Sequence, residues 1–124
     1  MKQRGTIYLQ LIAIIILLYS CGGCGGGGDS SSPPDNSATL TWNDNSESDL
    51  AGYKIYYGTS PRTGSDPKVC TMCGYSVKID AKKVTVYTVR NLTGGSTYYF
   101  SVTAYDTSGN ESAYSVKEVQ KEFK

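Results

Sequence analysis

Four cysteines and no histidine bound the chemistry open to this chain of 124 residues. Two of the cysteines, Cys70 and Cys73, stand with two residues between them in VCTMCG. A pair at this spacing can cycle as a redox site, supply half of a zinc site or close a local disulfide. Redox use wants a helix N-terminus in a βαβ setting to lower the thiol pKa. Tetrahedral zinc wants two more ligands, and only Cys24 and acidic side chains are on offer. In an exported protein the Cys70–Cys73 disulfide is the default expectation. Cys24 is then left free, paired with a second copy, or crossed to the loop.

Other chemistry finds little to build on. The commonest general base and metal ligand are missing with histidine. No serine or cysteine is spaced suggestively beside a lysine or carboxylate. The stretch NDNSESD, Asn43 to Asp49, gathers oxygen ligands but lacks the central glycine and terminal glutamate of an EF-hand loop, so a solvated loop is expected. The glycine run follows no strand and opens no helix, which excludes a phosphate loop. A formal charge of +1 gives no electrostatic footing for nucleic acid. The expectation is a non-enzyme with no catalytic residues, no metal site and no cofactor.

The first cysteine, Cys21, has a different setting. MKQR supplies positive charge, TIYLQLIAIIILLYS supplies an apolar run, and the chain then dissolves into glycine. The run is too short, and Gln10 too polar, for a membrane span of about 20 apolar residues. Charged start, apolar middle and small residue before the break are secretory signal architecture. Leu18-Tyr19-Ser20-Cys21 resembles the bacterial lipoprotein lipobox, with tyrosine where a smaller residue is usual. The resemblance implies that the Cys21 thiol takes a diacylglyceryl group, that cleavage falls before it, and that the new amine is open to acylation, as by palmitate. Residues 1–20 would then be the signal peptide. Residues 21–37 would be the lipidated cysteine and a flexible Gly/Ser/Pro tether reaching roughly 20–25 Å. Such a chain is exported and anchored to the cell membrane or outer membrane, its domain facing periplasm or exterior.

From Ala38 the hydrophobic period becomes two. ATLTW puts Ala38, Leu40 and Trp42 on one face; GYKIYY puts Tyr53, Ile55 and Tyr57 on one face and Lys54 and Tyr56 on the other. YSVKID alternates Tyr75, Val77 and Ile79, and VTVYTVRNL turns Tyr87 and Val89 inward. TYYFSVTAYD sets Tyr98, Phe100, Val102 and Ala104 inward against Tyr99, Ser101, Thr103 and Tyr105. Ala113 to Phe123 is a weaker strand with Val119 inward. Turn-rich segments separate these runs, and eleven tyrosines suit half-buried sheet surfaces. The fold class expected is all-β, a two-sheet sandwich.

Trp42, DLAGYKIYYGTSP and YTVRNLTGGSTYYFSVTAYDTSGNES together resemble a bacterial fibronectin type III domain, covering 38–123. The resemblance implies an immunoglobulin-like sandwich in which Leu92, Gly95 and Tyr98 form the tyrosine corner, with Trp42, Leu92 and Tyr98 as structural residues. Gly94 stands where the family usually has proline. No RGD occurs in the loop before the last strand, which reads DTSGNES. Only PPDNS is available for the family's first strand, so that strand is reduced or missing, or the Trp42 strand is a sheet edge that Pro33 and Pro34 blunt.

On this fold Tyr56, Tyr99, Tyr105 and Tyr114 share one outward face with Lys54 and Thr103, a candidate binding face for an envelope protein or a glycan. Ordinary cross-strand pairing is the plainer use of the same residues. The functional expectation is a lipid-anchored envelope protein working as a protein-interaction, adhesion or spacer module. The alternatives are a glycan-binding module through surface tyrosines, or a redox or metal-handling lipoprotein through Cys70 and Cys73.

Overall fold

The computed structural model describes residues 15–17 and 36–124. The chain forms β1 (Ile15–Leu17), β2 (Ala38–Thr41), β3 (Leu50–Gly58), β4 (Val77–Lys82), β5 (Val86–Val89), β6 (Thr97–Asp106) and β7 (Val119–Glu122). All pairings are antiparallel. One sheet has the order β1-β2-β5 and the other β4-β3-β6-β7. Two antiparallel sheets face to face make the sandwich that the alternating strands demand.

The core between the sheets follows the period of two. Ala38, Leu40 and Trp42 meet Tyr53, Ile55, Phe100, Val102 and Ala104, all buried. Trp42 and Tyr53 pack edge to face, with ring centroids 5.5 Å apart. Leu92 is buried at the corner between β5 and β6, and the Tyr98 hydroxyl accepts the Thr93 N–H at 3.0 Å. Gly95, at φ +76°, sits at the turn and donates to the Phe123 carbonyl at 2.7 Å. This ties the corner to the end of the chain.

Three local expectations change. Tyr75 precedes β4 instead of alternating along it, and packs on the opposite face from Ile79. The last strand is shorter than Ala113–Phe123, running Val119–Glu122. Before it, residues 111–115 track β6 with serine hydroxyls replacing ladder groups. Ala104 N–H donates to Ser112 Oγ at 3.0 Å and Val102 N–H to Ser115 Oγ at 3.2 Å. A backbone whose bonding is shared with side chains does not make a regular ladder.

The first strand is reduced, as expected, to three residues, and what differs is its place in the sequence. The edge of β2 carries β1, with Ile15 opposite Thr41, Ile16 opposite Leu40 and Leu17 opposite Thr39. The strand beside β2 thus comes from far upstream of PPDNS. Pro33 and Pro34 lie outside the described residues, as do Cys21, Cys24 and the rest of the tether up to residue 35; its last two residues, Asn36 and Ser37, are described and bonded to the sandwich. Among the described residues no helix is long and apolar enough to cross a membrane.

Candidate functional site

The outward face of the β4-β3-β6-β7 sheet carries the tyrosines. β3 pairs with β6 so that Tyr56 stands opposite Ser101 and Lys54 opposite Thr103. A free sheet surface would leave these side chains wet, but Ser101 and Thr103 are fully buried. The cover comes from two segments with no regular strand: residues 59–76 between β3 and β4, and residues 111–118 between β6 and β7.

The expected four-tyrosine binding face is therefore corrected. Tyr56 is 2% exposed and Tyr114 4% exposed. Tyr56 lies on the outward side of the sheet, where Tyr114, Tyr75 and Cys73 of the covering segments pack on it in a second apolar cluster. The rings of Tyr56 and Tyr114 meet edge to face at 4.9 Å, and those of Tyr75 and Tyr114 at 5.6 Å. Tyr99 and Tyr105 remain half-buried. Tyr99 packs against this cluster, while the Tyr105 hydroxyl donates to Asp80 at 2.8 Å beneath the Lys54 ammonium, 5.0 Å from its ring. Desolvation inverts the simple outward-is-exposed rule because the cover buries the far face too.

Polar groups fasten the cover at two places. At the first, Glu111 accepts from Tyr56, from Thr103 at 2.7 Å and from Lys54 at 3.2 Å. At the second, Arg62 donates to Ser101 Oγ at 2.9 Å and to the carbonyls of Ser115 and Val116 at 2.8 and 3.1 Å. Glu118 accepts from the Arg62 N–H at 2.8 Å and from the Tyr75 hydroxyl. Tyr114 N–H donates to the Ser65 carbonyl at 2.9 Å, joining the two covering segments directly.

The electrostatics follow from burial. Burial is the leading influence on Glu111 and would raise its pKa; the hydrogen bonds from Tyr56, Thr103 and Lys54, with the lysine charge, outweigh it and hold the carboxyl below its ordinary range. Burial pushes the Tyr114 phenol up to about 12, and those of Tyr56 and Tyr75 also rise, reinforced by their bonds to Glu111 and Glu118. The phenols of Tyr56 and Tyr75 stay neutral as donors, and the Glu111 carboxylate stays charged as the acceptor of three hydrogen bonds.

Cys70 and Cys73 form a disulfide inside the first covering segment. Thr63 N–H donates to the Cys73 carbonyl at 2.8 Å, so the loop closes on itself. Gly64 lies against the bridge: a Cβ there would meet Cys70 Sγ at 2.6 Å. Met72 and Cys73 both have positive φ in the short 3-10 turn Met72–Gly74. Cys73 is 1% exposed. The Cys73 half of the bridge is shielded from an attacking thiolate, while Cys70 is half-buried.

The loop Asn43 to Asp49 takes a structural part as well. Tyr53 donates to Asp44 and accepts from the Asn45 N–H, each at 2.7 Å. Among the described residues no group of three or more His, Cys, Asp or Glu could hold a metal ion. Arg62, Glu111 and Glu118 were not singled out by the sequence, because residues in irregular loops carry no periodic signal.

The sandwich, its corner and its buried tryptophan define a class that comparison places directly. The chain matches the fibronectin type III domain family over residues 29–120 and belongs to that family. It is also similar to a Kelch domain-containing protein of Saccharolobus solfataricus, with 36% identity over 82 residues. That alignment takes in 66% of this chain and 9% of the archaeal protein, so the chain spans about a tenth of the length of the curated relative it matches.

Proposed function

We propose that this chain is a lipid-anchored cell-envelope protein whose fibronectin type III domain is a protein-interaction, adhesion or spacer module. The observation that carries the module reading is the state of the outward sheet face. Tyr56, Lys54 and Thr103 are bonded to Glu111, and Arg62 to Ser101, so the domain offers a rigid shape more than a reactive centre. The anchoring half is supported by the leader and the lipobox-like Leu18-Tyr19-Ser20-Cys21. The partner is an envelope protein; a glycan is the second reading, supported by the half-buried ring of Tyr99. The packed Cys70–Cys73 bridge argues against the redox alternative.

Expression in a bacterial host and detergent phase partitioning test the anchoring. The full chain should enter the membrane and detergent phases, and Cys21→Ala should abolish that partition. Equal partition of both forms would refute lipid attachment at Cys21. Crosslinking on whole cells tests the module reading: a discrete partner species supports it, and turnover of an added substrate would oppose it.

A further inference from the structure

The strand on the edge of β2 comes from outside the family's domain. The family match begins at residue 29, whereas β1 is Ile15–Leu17. β2 itself, ATLT, carries none of the usual edge protections: no proline, no charge. Its far side is already committed to β5, from Ala38 opposite Val89 to Thr41 opposite Val86. Trp42 donates its N–H to the Thr85 carbonyl at 3.0 Å, on the β5 side. Alternation along the strand then turns the N–H and C=O of Thr39 and Thr41 the other way, toward Leu17 and Ile15.

The start of β2 is held independently of β1. Leu92 N–H donates to the Asn36 carbonyl at 2.9 Å, and Lys121 Nζ to the Ser37 carbonyl at 2.8 Å. The acceptor edge is therefore anchored by the sandwich, and the added strand meets it through main-chain pairing, which is the chemistry of β-augmentation.

We propose that the outer edge of β2 is a strand-docking site, and that Ile15–Leu17 is its occupant in the unprocessed chain. Pairing there and service as an export leader exclude each other, because an extended segment on β2 is withheld from the membrane. Removal of the leader before Cys21 opens the edge to an antiparallel apolar strand of the same kind. This last consequence rests on the cleavage proposed above; the docking itself does not.

Amide hydrogen exchange on the full, unprocessed chain tests it. Thr39 and Thr41 should exchange about 100-fold slower than unstructured amides. Leu17→Pro removes a donor facing β2 and should release both amides, while Val102 stays protected as proof of folding. A synthetic peptide of residues 13–18 should restore the protection in trans. Free exchange of Thr39 and Thr41 in the unmodified chain, with Leu40 and Trp42 still slow, overturns the proposal. Should the variant unfold, that unmodified-chain measurement decides alone. An intact leader in native material beside a protected edge would sink the cleavage and leave the docking standing.

Discussion

The Tyr56 hydroxyl donates to Glu111 Oε1 across 2.5 Å and joins the middle of β3 to the segment that follows β6. The same oxygen accepts from Thr103, and the second oxygen meets Lys54. One carboxylate thus collects three donors beneath a cover of loops. A buried charge is tolerated only with such a set.

Removing one donor should cost stability in proportion to the charge it serves. Tyr56→Phe should lower the unfolding free energy by about 1.5–3 kcal/mol, the range for bonds to charged groups. Tyr114→Phe makes the contrast, because the Tyr114 hydroxyl is buried with no hydrogen-bond partner among the described residues. That variant should be neutral or slightly stabilising. Urea titrations followed by Trp42 fluorescence compare the two.

The pH dependence has a defined sign at each end. Glu111 is depressed from an ordinary value of 4.5, so its contribution is fully present above that value and is lost as the pH falls through the folded pKa. Glu111→Gln should flatten the acid limb of the stability profile. At the alkaline end, Tyr53 and Tyr114 rise from 10.0 to about 12, chiefly by burial. Their contribution is intact below 10 and drains as the pH rises beyond it. Phenolate absorbance at about pH 11 should show these two still protonated in the folded chain and ionised after denaturation.

The disulfide closes a loop of few residues, so its effect on the unfolded chain is modest. Loop-closure entropy for so short a ring gives about 2 kcal/mol. Replacing both cysteines by serine should lower stability by that amount and raise exchange at Tyr114 N–H, whose acceptor Ser65 belongs to the same loop. An unchanged denaturation midpoint would show that the cover stands without the bridge.

Gly52 tests the packing at the edge of the same face. A Cβ there would lie 2.6 Å from the Tyr105 hydroxyl and 3.0 Å from the Lys82 backbone carbon. Gly52→Ala should cost about 1–3 kcal/mol and push Tyr105 off Asp80. Adding Tyr105→Ala should recover part of that loss, since the two contacts share one space.

How much of this the chain announces depends on the kind of order involved. Ala38, Leu40, Trp42, Tyr53, Ile55, Phe100 and Val102 fall where alternation puts them, because a half-buried sheet enforces a period of two. The outward side of the four-stranded sheet is not legible in the pattern, because loops, whose residues have no period, decide whether Tyr56 and Tyr114 meet water. Arg62 reaches Ser115 across 53 positions of sequence, a contact that spacing cannot signal. The shortened last strand has a local cause: Ser112 and Ser115 lend hydroxyls to β6 in place of ladder groups. A polar stretch of that kind reads as a weak strand in sequence and as a cover in space.

Intact mass analysis of the native protein tests the lipid anchor most directly. The expected product begins at Cys21 and carries the added mass of a diacylglyceryl group. A leader still attached, or a Cys21 without lipid on a freely soluble product, would contradict it.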